Sequence, residues 1–173
     1  MFETVVECLV KRKITLKAYA GRCGMIFLDA LVLAIIYIIA AKAPFIMVVA
    51  FLLVVLCTVF TYLVFRNTDV EYEYSFYDGE MSVDKIMHRS SRKKLKRFNF
   101  SKMDFMAPEG SRHLGGISSQ RKQYDYSAND ENLTSYIAVL YDERNNAVEL
   151  KFTPNEELLE KLTKTYPRKV YTD

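Results

Sequence analysis

The chain has 173 residues, room for one ordinary domain and something small beside it. Half of them are hydrophobic, a quarter are charged, and the formal net charge is +3. Three cysteines, an odd count without framework spacing, argue against structural disulfides.

The N-terminal stretch, residues 1–22, is amphipathic and basic. Phe2, Val5, Val6, Leu9 and Val10 recur at i, i+3, i+4, i+7 and i+8, one face of a helix. Glu3, Glu7, Lys11 and Arg12 lie off that stripe. Such a helix suits the membrane interface, or packs its apolar face on a cytoplasmic domain.

From Cys23 to Phe65 there are two charges, Asp29 and Lys42. Cys23–Ala41 is 19 residues and Ala43–Phe65 is 23. About 20 apolar residues cross a hydrocarbon core, so residues 23–66 read as a transmembrane hairpin with spans of about 23–41 and 43–65. Lys42 and Pro44 mark the turn. A secretory signal has one short apolar core, whereas here a second full-length run follows at once. Lys11, Arg12, Lys13, Lys17 and Arg22 precede the hairpin and Arg66 follows it. Cationic flanks stay cytoplasmic, which predicts a multi-pass plasma-membrane protein with both termini inside.

Asp29 is the odd residue of the first span. A central Asp costs about 2.5–3.5 kcal/mol of insertion, which the apolar residues, at roughly 0.3–0.6 kcal/mol each, cover. One reading is a polar contact in a homo-oligomer, or a cation site. The favoured reading is that Asp29 reaches back toward the interface near Arg22.

Residues 67–173 form the second domain. In "EYEYSFYDGEMSVDKIMH", Tyr72, Tyr74 and Phe76 alternate with Glu71, Glu73 and Ser75, a half-buried strand. Asp78-Gly79 is a hairpin turn, and Met81 and Val83 start the return. "RSSR" reads as a second turn and "KKLKRFNF" as a third strand. "SKMDFMAP" is an extension stopped by Pro108, and "EGSRHLGGISSQ" is a loop. "KQYDY" is a short strand and "SANDEN" a turn. "TSYIAVLY", apolar on both parities, suits a strand covered on both sides. "DERNN" is a turn before the alternating "AVELKF". In "TPNEELLEKLTKTYP", Thr153 and Glu156 read as a capping box with Pro154 at the first helical position. Leu158, Leu159, Leu162 and Tyr166 make the apolar face, and Pro167 ends the helix.

The fold class is therefore an α+β membrane protein. A transmembrane helical hairpin precedes six or seven antiparallel strands and one C-terminal helix. The stretches "EYEYSFYDGEMSVDKIMHRSSRKKLKRFNFSKMD" and "YIAVLYDERNNAVELKFTPNEELLEKL" carry a resemblance. They resemble the small uncharacterised bacterial two-span membrane proteins with a cytoplasmic PH-like domain. The resemblance implies an antiparallel β barrel or sandwich plugged by the C-terminal helix. It also implies basic strand-loop surfaces that meet phosphoinositides in other such domains; fold alone assigns no function.

The charge is concentrated. Residues 85–102 hold eight cations and no acid, while the remainder of 66–173 holds ten cations and eighteen acids. The candidate binding residues are Arg89, Arg92, Lys93, Lys94, Lys96 and Arg97. Beside a cytoplasmic leaflet each contributes about 1 kcal/mol, so the stretch is expected to dock on anionic lipid headgroups or a charged partner. The competing reading is an edge strand kept unpaired by its lysines. Nucleic acid is the least favoured partner, since no recognised motif is present.

No catalytic site is expected. His88 and His113 lack neighbours at metal-ligand spacing, and there is no GxSxG, P-loop or GxGxxG. No cofactor or metal is called for. The expectation is a non-enzymatic, membrane-anchored binding or scaffold module. The alternative is an accessory subunit of a membrane assembly, a homo-oligomer or a complex with another membrane protein, recognised through the hairpin and Asp29.

Overall fold

The structure is a computed structural model that describes residues 5–40, 47–115 and 121–172. The chain divides into two compact units, residues 1–13 with 70–173, and Ile14–Asp69. The helical unit is therefore inserted into the β-rich one.

The inserted unit holds α1 (Leu16–Ala40) and α2 (Met47–Thr68). Both are long and apolar enough to cross a membrane, and none of either span is buried. Leu52 and Leu56 on α2 are exposed, as they are along a helix whose solvent is lipid rather than protein. The first helix starts earlier than its apolar run, because Thr15 caps it. Its Oγ1 accepts from the Ala18 N–H at 3.3 Å. The expected turn at Lys42 and Pro44 lies outside the described residues.

Among the described residues the second unit contains eight strands in two sheets. The first sheet has the order β1-β2-β3-β4, from β1 (Val6–Lys11), β2 (Val70–Tyr77), β3 (Glu80–Met87) and β4 (Ser91–Asn99). The second has the order β5-β7-β8-β6, from β5 (Met103–Pro108), β6 (Lys122–Asp125), β7 (Tyr136–Tyr141) and β8 (Ala147–Phe152). This is an open sandwich and not a closed barrel.

β1 corrects the helical reading of the N-terminus. It pairs antiparallel with β2, Val6 opposite Phe76 and Lys11 opposite Glu71. Val6, Cys8 and Val10 are buried, whereas Leu9 is 59% exposed. Val6 and Val10 fit periods of 2 and 3.6 alike, and Cys8 decides for the strand. Pairing with β2 overrides the local stripe. Phe2 lies outside the described residues.

The Asp78-Gly79 turn forms as the dipeptide requires, with φ of 48° and 73°. A Cβ on Gly79 would sit 2.7 Å from Ser101 Oγ, which can rotate away, so it is the positive φ that favours glycine here. The β3–β4 turn covers residues 88–90, starting one residue ahead of "RSSR" and overlapping it, with His88 and Arg89 at positive φ. β6 departs from the antiparallel expectation and runs parallel to β8. The stretch between these parallel neighbours, residues 126–146, carries β7 and supplies the crossover that parallel pairing needs. "SANDEN" is accordingly part of a link that passes β8 to reach β7.

The inner faces share one core. Phe152 meets Tyr74 edge-on at 5.7 Å and Phe100 at 6.1 Å. The Tyr74 hydroxyl donates to the Tyr126 carbonyl at 2.5 Å. On β7, Ala138, Val139 and Leu140 are all buried, as expected of a strand covered on both sides. Helix α3 (Glu156–Thr165) closes the core with Leu158 and Leu162. Its cap is Asn155 and not the expected Thr153–Glu156 box. Asn155 Oδ1 accepts from the Leu158 N–H at 2.9 Å. Thr153 Oγ1 is engaged elsewhere, accepting from the Ala128 N–H at 3.0 Å, and Pro154 precedes the helix.

Candidate functional site

The basic stretch lies on β4 and the turn before it, and β4 is the edge of its sheet. It is not one surface. The register shifts between Val83 and Asp84, so Val83 pairs with Lys96 but Asp84 with Lys94, leaving Leu95 as an extra residue. Such a bulge bends the strand and re-aims side chains. Lys94 shares the outer face with Asp84, and Lys96 shares the inner face with Val83. Simple alternation would have put Arg92, Lys94 and Lys96 together.

On the outer face the cations meet acids. Glu73 and Asp84 are directly opposite across β2 and β3, an unfavourable like-charge pair. Arg92 bridges them, Nε to Asp84 Oδ2 at 2.7 Å and Nη2 to Glu73 Oε1 at 2.9 Å. The hydrogen bond to Asp84 and the charge of Glu73 raise the Arg92 pKa further. Arg89 reaches Glu71 at 3.6 Å. Glu71 and Asp84 are buried despite facing outward, and Arg89 and Arg92 respectively hold them.

The remaining cations are differently placed. Lys93, Lys94 and Arg97 are exposed, and among the described residues none has an ion pair with an acid. Lys93 stands opposite Lys85 in the β3–β4 register, two like charges facing each other. Lys96 turns inward, where its Nζ donates to the Tyr124 hydroxyl at 2.8 Å. Burial raises the Tyr124 pKa, but its hydrogen bonds to Lys96 and Lys122 outweigh that and lower it. Tyr124 and Lys122 were not singled out by sequence reading. Their strand carries only a short alternation and no turn signal tying it to β4.

Asp29 sits elsewhere than its favoured reading. Its Oδ2 accepts from Thr61 Oγ1 at 2.7 Å, across the hairpin, while Oδ1 is enclosed without a partner among the described residues. Arg22 does not meet it. The guanidinium donates to Thr68 Oγ1 at 2.7 Å and to the Phe65 carbonyl at 3.2 Å, satisfying the end of α2. Arg22 and Asp29 of α1 thus both bind α2.

Among the described residues no group of three or more His, Cys, Asp or Glu is placed to hold a metal ion. His113 stacks on Tyr171 at 3.8 Å, a packing contact of the C-terminal segment.

The architecture is that of a PH-like module carrying two apolar helices. The chain belongs to the family described as Bacterial PH-like domain (DUF6106), whose family model matches residues 2–172. That match spans β1, both helices and the rest of the sandwich, so the inserted hairpin is part of the family's unit. No curated protein and no solved structure matches the chain.

Proposed function

We propose that the protein is a non-enzymatic membrane-anchored binding module whose PH-like domain docks on anionic lipid headgroups through β4. PH-like domains are generally non-enzymatic binding modules, and the family assignment supports the class. The observation that carries the reading is the edge strand with exposed Lys93, Lys94 and Arg97, their charge unmatched among the described residues. The Lys85–Lys93 juxtaposition costs stability unless an anion lies between or beside the two charges. Three cations at a leaflet surface contribute about 3 kcal/mol, enough to hold a tethered domain in one orientation.

The β1–β2 pairing supports the membrane placement. Val6–Lys11 and Val70–Tyr77 pair in one sheet, which favours placing both ends of the inserted segment on the same side of a bilayer. Two spans satisfy that requirement, and the basic flanks favour the cytoplasmic side. Arg92 and Arg89 contribute by holding the acids of the outer face, leaving their neighbours to meet lipid.

The test places a fluorophore at Ser90→Cys, in the exposed β3–β4 turn, in the full chain reconstituted into vesicles with nitroxide-labelled lipids. Quenching in phosphatidylglycerol vesicles, absent in phosphatidylcholine and reversed by salt, is the expected result. Equal quenching in both would overturn the electrostatic reading.

A further inference from the structure

β4 and β6 are each one of the two edges of their sheets, and a groove opens where they come together. It has a volume of about 800 Å³ and is walled by Lys96, Lys102, Lys122 and Tyr124 over a floor of Phe98, Leu140 and Val148. Its size falls in the range of small-ligand sites. We propose that this groove binds a phosphate-bearing anion, with Lys96, Lys122 and the Tyr124 hydroxyl as the donors.

Three observations converge. Lys96 and Lys122, from different sheets, approach the same Tyr124 ring, with Nζ 4.1 and 5.2 Å from its centroid. Two ammonium groups on one ring repel each other, and among the described residues neither forms an ion pair with a carboxylate. An anion between them removes that cost and forms charge-assisted hydrogen bonds. The phenol already accepts from Lys96, so its own proton is free to donate. Phe98 meets the ring edge-on at 5.5 Å and fixes its orientation.

Among the described residues five cations and three acids line the groove, so its balance is positive. Asp142 accepts from the Asn146 and Arg144 N–H groups at 2.8 and 2.9 Å, and these bonds together with the charge of Lys96 lower its pKa. Glu80 and Glu143 line the groove along with Lys102 and Arg144. The buried floor suits an apolar part attached to the phosphate, as in a phospholipid headgroup region or a soluble phosphate ester.

Lys94 lies outside the groove, because the bulge at Leu95 sends it to the face opposite Lys96, whereas Arg97 lines the groove and belongs to both surfaces. The test uses the full chain in phosphatidylcholine nanodiscs. One arm titrates inorganic pyrophosphate by calorimetry. The other adds phosphatidic acid to the disc and follows amide exchange in residues 122–125. Near-ultraviolet circular dichroism checks that each variant is folded. Pyrophosphate binding that weakens about tenfold in Lys122→Ala, and is unchanged in Lys94→Ala, supports the site with a soluble ligand. Protection of residues 122–125 by phosphatidic acid alone, lost in Lys122→Ala, supports it with a lipid ligand. Binding to neither, or binding indifferent to Lys122→Ala in folded protein, overturns it. Failure of Ser90 quenching with pyrophosphate binding intact would remove the docking reading and leave this one.

Discussion

Cys8→Asn and Leu9→Asn form a matched pair that separates a strand from a helix at the N-terminus. The stripe Val5, Val6, Leu9, Val10 makes Leu9 a packing residue and Cys8 an outsider. The paired strand reverses that, with Cys8 2% and Leu9 59% exposed. An amide at position 8 would bring two N–H donors and one carbonyl into an apolar core. The Asn155 N–H, 3.3 Å from Cys8 Sγ, could satisfy only the carbonyl. Two stranded donors give about 3 kcal/mol, from roughly 1–3 kcal/mol per unsatisfied group. At roughly 4 °C per kcal/mol, Cys8→Asn should lower the melting midpoint by about 12 °C. Leu9→Asn, in the open, should stay within about 0.5 kcal/mol of wild type. The assay is thermal unfolding of the full chain in neutral nanodiscs, followed by the near-ultraviolet signal of the tyrosines. Equal or greater loss in Leu9→Asn would refute the strand.

Other consequences are as direct. Tyr74→Phe keeps the ring but leaves the Tyr126 carbonyl without its donor, and should cost about 1–3 kcal/mol. Burial raises the Tyr74 pKa. Its contribution is therefore full below the ordinary tyrosine value of about 10 and lost as pH rises through the higher folded value, so the phenylalanine variant should flatten the alkaline limb of stability. Burial raises the Asp125 pKa, but its bonds to Ser127 and the charge of Arg12 outweigh that and lower it. The clasp of Arg12 on Asp125 at 3.0 Å should hold above about pH 4 and release on further acidification, seen as faster amide exchange in β1. Arg92→Ala should lower the melting midpoint more than Lys94→Ala, since it leaves Glu73 and Asp84 face to face. Asp29→Leu should leave the size of the detergent-solubilised protein unchanged on gel filtration. Loss of a native-size complex would instead favour assembly through the hairpin.

Much of this was legible because its signals are local. Apolar length gives both helices, and Asp78-Gly79 gives a hairpin whose register follows by counting outward. That count alone sets Glu73 against Asp84 and shows a need for Arg92. What stayed hidden depends on distant partners. Nothing near Cys8 announces a β2 that begins after the entire hairpin, at Val70. The bulge at Leu95 reverses the faces of the lysines on either side of it without any glycine to mark it. The parallel placement of β6, and with it the meeting of Lys122 with Lys96, is set by sheet assembly rather than by the short run "KQYD". Asn155 over Thr153 as the cap was decided by Ala128, which takes the threonine hydroxyl from a loop elsewhere in the chain.

The most direct test of lipid docking is amide exchange across residues 91–97 of the full chain, in phosphatidylcholine discs with and without phosphatidylglycerol, over a salt series. The account predicts protection only in the anionic discs, fading with salt and absent when Lys93, Lys94 and Arg97 are changed to Gln. Identical exchange in both lipids at low salt would contradict it, leaving these cations as guards of an exposed sheet edge.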